Sequence, residues 1–417
     1  MTSRLRRRIL TTVYASASAL LIAAPVAAQT TAVRFGRLWD GERLLADAVV
    51  VIEGDRVVRV DRGDAAIATG ADVIDLRQYT GLPGLIDLHT HITYYWDGAP
   101  GTRPLGQRRR PAVTVFLAQE NARRTLETGV TTVRDLGASS ETDLAMRDLT
   151  GMGRMVGPRI VASGAGLSAG RDRSGPDPER MRRLVAERID AGVDWIKVYA
   201  SRGSFDSVDT AQTLTFDEMK AIVDAAHARG VKVAIHSYGP TGVRDAVLAG
   251  ADSVEHGVDL DDATLAEMAR QGTVWVPTID HNRYYIDAKD EYGFAPEAIA
   301  PLEDYIARNL ESTRRAVKAG VRLGMGSDAV YSMFGQNTRE LAWFVKAGLT
   351  PEQALATATT TAATLLGAED RLGRVAPGYV ADLIAVNGNP LENIAALFEG
   401  VTWVMKAGSV VVDTRDR

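Results

Sequence analysis

Cysteine is missing from all 417 residues, which excludes disulfides, thiolate metal sites, cysteine nucleophiles and a thiol-linked lipid. Fibrous repeats and disordered tracts are missing too: 46% hydrophobic and 24% charged residues are ordinary for a globular chain with a large core. Past the N-terminal segment, nothing approaches the roughly 18 uninterrupted apolar residues that a membrane-crossing helix requires. Positive charge is not in excess either, the formal net charge being -5, and that argues against nucleic acid as a partner. Histidine is scarce, at six residues. Four of them fall in a pattern: His89 and His91 in PGLIDLHTHI, His236 in VKVAIHS and His256 in DSVEHG.

What is present begins with a distinct leader. Arg4, Arg6, Arg7 and Arg8 precede an apolar stretch from Ile9 that closes on Pro25-Val26-Ala27-Ala28-Gln29. A charged start, an apolar middle and small residues before a cut describe a secretory signal peptide over residues 1–28. The alternative, an uncleaved membrane anchor, is disfavoured by Thr11, Thr12, Ser16 and Ser18. Cleavage removes four positive charges and no negative one, moving the formal charge from -5 to -9. A periplasmic or secreted bacterial protein is expected, free of membrane once cleaved, and Arg6-Arg7-Arg8 would allow export in folded form.

Residues 29–80 read as short β-branched runs with turn signals at Asp40-Gly41 and Glu53-Gly54-Asp55. The same texture returns in GYVADLIAVNG and VTWVMKAGSVVVD. Hairpins alone are marginal, so residues 29–80 and 372–417 are expected to pair into one small β-sandwich domain. Between them, over residues 81–371, apolar strand candidates at 82–88, 131–135, 158–163, 194–199, 231–235, 252–255, 273–278 and 322–327 alternate with helical patterns. Thr215-Phe216-Asp217-Glu218 is a capping box for a helix running to Gly230, a second long helix spans 295–320, and Thr350 caps a third that carries Leu355, Ala358, Ala362 and Leu365 on one face. Eight strands alternating with helices predict an α/β fold, a (β/α)8 TIM barrel.

In such a barrel, polar groups at the carboxyl ends of the strands converge at one mouth. His89 and His91 end strand 1, Lys197 in WIKVYA lies in strand 4, His236 ends strand 5, His256 follows strand 6 and Asp328 in GMGSD ends strand 8. Residues two apart on a strand share a face, so His89 and His91 can chelate one ion. A free ammonium at Lys197 would repel divalent cations, whereas a carbamate reverses its sign and supplies two oxygens.

The segments Pro83 to His91, Lys197, His236, Glu255-His256-Gly257, Gly326-Ser327-Asp328 and Gly373 to Leu383 together resemble the amidohydrolase superfamily over nearly all of the mature chain. That resemblance implies two divalent metal ions. His89, His91 and Asp328 would bind the more buried one, His236 and His256 the more exposed one, and N6-carboxylated Lys197 would bridge them. Zinc is the first choice of ion, with manganese and cobalt also suited to these ligands. Two such ions lower the pKa of a water toward roughly 7 for attack on a carbonyl, with Asp328 taking its proton and passing it to the leaving nitrogen.

Other residues have assigned roles or ordinary alternatives. Tyr238 in HSYG resembles a residue that holds substrate in related dipeptidases, and His281 beyond strand 7 is a second catalytic candidate beside Asp328. Arg171, Arg173 and Arg202 follow strands 3 and 4 and suit a substrate carboxylate, each being otherwise a solvated loop charge. Tyr94, Tyr95 and Trp96 after strand 1, with Tyr331, Met333 and Phe334 after strand 8, suit an apolar pocket wall or plain packing; His227 reads as structural. The strand 4 lysine, the HSYG segment, the leader and TYYWD look most like secreted prolidase-type and Xaa-Arg/Lys dipeptidases and amidohydrolases of ochratoxin-like amides. The chain departs from many of these in SGAGLSAGRDRSG, which lacks a histidine after paired glycines, and at Arg202, where glycine is usual. The expected activity is hydrolysis of a peptide or N-acyl amino acid amide that releases a C-terminal amino acid, with a small molecule or dipeptide as substrate. A mononuclear deaminase or cyclic amidohydrolase of the imidazolonepropionase sort is the rival, opposed by Lys197, and a non-enzymatic scaffold is opposed by the complete ligand set. Assembly into a homo-oligomer is left open.

Overall fold

The structure, a computed structural model, describes residues 30–64, 67–98, 109–170, 175–203 and 208–415; the expected signal peptide, residues 1–28, lies outside them. In chain order the strands are β1 (Thr30–Trp39), β2 (Leu44–Glu53), β3 (Arg56–Arg62), β4 (Asp72–Pro83), β5 (Leu85–Thr90), β6 (Val130–Asp135), β7 (Arg159–Ala162), β8 (Trp195–Tyr199), β9 (Lys232–His236), β10 (Ser253–Glu255), β11 (Val274–Val276), β12 (Leu383–Val386), β13 (Val401–Lys406) and β14 (Ser409–Asp413).

The terminal segments do meet. They form one seven-stranded mixed sheet in the order β14-β13-β12-β4-β1-β2-β3, with β1 antiparallel to β2 and parallel to β4. The sheet curls back, because the Val57 amide of β3 donates to Tyr379 O at 2.9 Å and the Ala381 amide donates to Asp55 O at 2.8 Å. Phe35, Leu38, Val50 and Ile52 therefore share one core with Leu383 and Trp403 from the other end of the chain. Leu82, expected in the first barrel strand, belongs instead to β4, where it pairs with Ile384.

The central segment forms two parallel sheets, β5-β6-β7 and β8-β9-β10-β11, with helices between successive strands. Hydrogen bonds join the sheets at both margins. On one side the amide of Leu167 donates to Lys197 O and that of Tyr199 to Leu167 O, both at 2.8 Å. On the other, residues 322–329 lie between β11 and β5: Gly324 N donates to Trp275 O, Leu88 N to Met325 O and Asp328 N to His89 O, at 2.9, 2.8 and 2.7 Å. The expected strand over 322–327 is not a continuous ladder but two isolated parallel bridges, Leu323 to Trp275 and Ala329 to Thr90. Its glycines explain the irregularity, since they let the neighbouring side chains press against the backbone. A Cβ on Gly326 would stand 2.8 Å from His89 Cβ.

The Thr215 box forms as expected at the head of the helix Phe216–His227. The long helix predicted over 295–320 is the helix Ile299–Lys318 preceded by a 3-10 turn at Pro296–Ala298. Past Thr350 the single predicted helix is two, Pro351–Thr357 and Thr360–Leu366. The break arises because the carbonyls of Thr357 and Ala358 accept from Met325 N and Ile86 N at 3.1 and 2.7 Å, so they tie the helix to the strands instead of continuing its own ladder.

Gly326→Ala is expected to lower unfolding free energy by about 1–3 kcal/mol, as overpacking of a filled interior does. Chemical denaturation checks this, and an unchanged midpoint would show that the close approach to His89 is not structurally required.

Candidate metal centre and its cavity

His89 sits in β5 and His91 just beyond it, and Asp328 follows the segment that lies beside that strand. Asp328 Oδ1 is 3.2 Å from His91 Nε2 and 3.4 Å from His89 Nε2. These three buried residues offer ligand atoms all within 4.8 Å of one another. Lys197 Nζ, on β8, lies 3.4 Å from His89 Nε2. His236 ends β9 and His256 follows β10, their ring centroids 4.5 Å apart, and His256 is 5.2 Å from the His89 ring. All six residues that the sequence singled out therefore lie together. His256 and Asp328 are held at φ +65° and +52°, left-handed conformations that non-glycine residues adopt at a cost and that concentrate at functional sites.

Three of the rings have one nitrogen tied away from the cluster. His89 Nδ1 meets Glu255 Oε2 at 2.9 Å, His91 Nδ1 meets Gly137 O at 3.1 Å and His256 Nδ1 meets Thr278 Oγ1 at 2.7 Å. Such outer contacts fix ring orientation and leave the other nitrogen for a metal. His236 Nε2 is buried with no hydrogen-bond partner among the described residues. Burial, with Lys197 nearby, lowers His89 to about 4 and holds His236 well below the usual imidazole range; burial and the His236 ring do the same for His256. Neutral imidazoles are the form that binds metal. Asp328 stays ionised: burial works against its charge, but the His281, His89 and His91 rings outweigh that and hold it well below the usual carboxylate range. The donor set, with an orphaned imidazole nitrogen inside it, fits divalent ions.

Beneath the six clustered residues lie others to which the sequence assigned no role. Arg134, fully buried in β6, donates from NH2 to Glu255 Oε1 at 2.9 Å, from NH1 to Ser253 Oγ at 2.8 Å and from Nε to Leu88 O at 2.6 Å. Its guanidinium also lies over the Trp195 ring, 4.5 Å from the centroid. Glu255 is thereby held near 2 despite burial, by Arg134 first and then His89. Asp87 takes Ser327 Oγ at 2.6 Å and Asn337 Nδ2 at 3.0 Å, joining β5 to the segment that carries Asp328. Their signal was an arginine and two acids inside otherwise apolar strand segments.

Above the six clustered residues opens a cavity of about 350 Å³, lined by His91, Tyr94, Tyr199, Arg202, Tyr238, His281, Tyr285 and Tyr331 among others. Its size falls in the usual range for small-molecule sites, about 300–1,000 Å³. Tyr94 stacks on His91 and Tyr331. Tyr238 packs against both His236 and His256. His281 reaches Asp328 twice, Nε2 to Oδ2 at 3.3 Å and Nδ1 to the carbonyl oxygen at 2.9 Å. Two aromatic candidates for the wall lie elsewhere: Trp96 is buried against Tyr292, and Tyr95 lies under Arg109. Met333 and Phe334 are core. Tyr285, which had no place among the expected wall residues, takes part in it. Arg171 and Arg173 lie outside the described residues. His227 is on a helix surface, paired with Asp252 at 2.8 Å.

Residues 80–411 match the family model described as the amidohydrolase family. Ochratoxinase of Aspergillus niger is 30% identical, the match covering 94% of this chain and 88% of that protein. The crystal structure of a Xaa-Pro dipeptidase with methionine bound in its active site superposes with a TM-score of 0.83 at 30% identity, covering 92% of this chain and all of that one. Imidazolonepropionase of Streptomyces coelicolor is 29% identical over 82% of this chain and 85% of its own length. With the family model spanning most of the sequence and both parallel sheets, the chain belongs to the amidohydrolase family and is a hydrolase.

Proposed function

We propose that the protein hydrolyses a peptide or N-acyl amino acid amide and releases a C-terminal amino acid. The observation that carries this reading is the convergence of His89, His91, Lys197, His236, His256 and Asp328 beneath one tyrosine-lined cavity. His89, His91 and Asp328 would hold one divalent ion, zinc by preference, His236 and His256 would hold a second, and Lys197 as its carbamate would supply oxygens to both. Ions bound there supply a Lewis acid for the carbonyl and an acidified water. Asp328, ionised and with its backbone carbonyl accepting from His281 Nδ1, is placed to accept a proton and return it to the leaving nitrogen, which departs as an amine. Tyr238, against the His236 and His256 rings, orients the substrate. Tyr94, Tyr285 and Tyr331 face its apolar part.

Arg202 is exposed on the cavity wall and has no ion-pair partner among the described residues. It suits the carboxylate of the released amino acid. The likeness to ochratoxinase and to a Xaa-Pro dipeptidase supports this substrate class. The likeness to imidazolonepropionase favours a second reading, opening of a cyclic amide or deamination, and a buried lysine amid the ligands weighs against it. We also propose that residues 81–371 form a closed (β/α)8 barrel and residues 29–80 with 372–417 its β-sandwich partner, supported by the bonds at both sheet margins and by the shared terminal core. Export to the periplasm or beyond completes the proposal.

Metal analysis of the purified protein should give about two divalent ions per chain, and Lys197→Ala should lose at least one together with activity; a fully active variant would remove the bridging carbamate. Carboxylation needs the neutral amine, and burial lowers Lys197 to about 8 in the metal-free protein. At fixed dissolved CO2, reconstitution of stripped protein should therefore quicken about tenfold per pH unit below about pH 8 and level off above it, whereas a flat profile would contradict the mechanism. Arg202→Ala should raise KM roughly 10–100-fold for N-acyl amino acids, the worth of one charged hydrogen bond, and leave carboxamide-capped analogues unchanged. Equal losses on both would deny Arg202 that role, and a dipeptide and N-acyl amino acid library that released only ammonia would favour the second reading.

A further inference from the structure

His256 is oriented from behind by Thr278, whose hydroxyl oxygen lies 2.7 Å from its Nδ1. Thr278 itself stands at φ +51° and ψ +43°, a conformation that a β-branched residue adopts only where its surroundings impose it. The surroundings are specific. On one side, Asn309 Nδ2 donates to Pro277 O at 2.9 Å. On the other, the amides of Ile279 and Asp280, which open the helix Ile279–Asp287, donate to Glu340 Oε1 and Oε2 at 2.9 and 2.8 Å. Glu340 is fully buried, and the helix Glu340–Ala347 that it heads also sends Trp343 Nε1 to Asp280 Oδ1 at 2.9 Å. Thr278 is thus clamped at the residue before it and the two after it. Glu340 does not line the cavity, and a buried carboxyl that spans two backbone amides there is more than a helix cap needs, since a single serine or aspartate at the cap satisfies most helices.

We propose that Glu340 is a positioning residue for the metal centre. By pinning the Ile279 and Asp280 amides it holds Thr278 in the left-handed conformation that keeps the Thr278 oxygen on His256 Nδ1, so that Nδ1 carries the proton and Nε2 the lone pair that faces the cavity. The inference rests on His256 as a metal ligand, and it reaches beyond that reading to a residue two layers away. Burial pushes the Glu340 carboxyl up to about 8, against which the two amide bonds act. Glutamine imitates the protonated form in size while replacing one acceptor by a donor that faces an amide.

The test combines Thr278→Val, Glu340→Gln and the double variant, with three readings: divalent-ion affinity by chelator competition with Zn2+, the 15N signature of the His256 ring in metal-free protein, and the urea midpoint. Each single variant should bind the weaker of two ions roughly 10–100-fold less tightly, the usual cost of losing an outer contact to a metal-ligating histidine. The double variant should be no weaker than Thr278→Val alone, because Glu340 acts through Thr278. In the metal-free protein, Nδ1 protonation of His256 should be lost or mixed in both single variants. A folded Glu340→Gln that binds both ions within about twofold of the parent, or losses that multiply in the double variant, would overturn the clamp. If Glu340→Gln does not fold, Glu340→Asp, which withdraws the carboxylate by one methylene, takes its place in the same cycle. Should the parent protein bind fewer than two ions, the reading of the centre itself fails; the ring signature still decides the clamp, and an unchanged His256 tautomer in the variant would overturn it.

Discussion

Everything at the mouth of the parallel sheets stands on one buried ion pair, Arg134 with Glu255. Neither side chain has any exposure. Removing two charges from water is costly, and attraction alone does not offset it; the remaining donors and acceptors must be satisfied as well. Here they are. Arg134 spends its other donors on Leu88 O and Ser253 Oγ and covers Trp195, while the second Glu255 oxygen receives His89. The pair thus links β5, β6, β8 and β10 at the point where the innermost ligand must be aimed. A ligand held by a carboxylate that is itself held by a guanidinium cannot tilt without stranding a charge. Hence the His89 ring is fixed by a fully buried charge pair, and the site is built outward from it.

From that anchor the strain pattern becomes intelligible. His256, Asp328 and Thr278 all occupy left-handed backbone conformations; His256 and Asp328 line the cavity, and Thr278 stands behind His256. Such conformations persist only where the surroundings over-determine them, and each has its restraint. Asp328 N bonds to His89 O, Thr278 is clamped between Asn309 and Glu340, and the His256 amide donates to Val276 O at 2.9 Å. The buried polar contacts of the interior hold the geometry of this cluster, while the wall above is made largely of tyrosines that supply apolar area and few fixed charges. Arg202 is the exception, and it sits at the rim.

How much of this was legible in the sequence follows from what each signal depends on. The alternation of apolar runs with capped helices depends on local pattern, so the parallel strands and the polar residues at their ends could be read directly, whereas their division into two sheets could not. His89, His91, Lys197, His236, His256 and Asp328 were legible because a strand end is a fixed address in such a sheet. Irregularity was not. The segment 322–327 reads as a strand by its apolar residues, but close approach at Gly324 and Gly326 leaves only two bridges, at Leu323 and Ala329; the helix after Thr350 breaks because distant strand amides claim two of its carbonyls. Supporting residues were hidden for the same reason. Arg134 inside VTTVRD and Glu340 inside RELAWF look like ordinary strand and helix charges, and only long-range partners, 121 and 61 residues away, give them a function. Trp96 shows the converse, an aromatic beside the motif that packs against Tyr292 instead of facing substrate.

The central claim is that a fixed inner ligand, a carboxylated lysine and two outer histidines together make a site for two ions. The most direct measurement is anomalous diffraction from crystals of the zinc-loaded protein. The account predicts two peaks, one among His89, His91 and Asp328 and one at His236 and His256, with added density on Lys197 Nζ reaching both. A single peak, or a bare amine at Lys197 beside two ions, would contradict it.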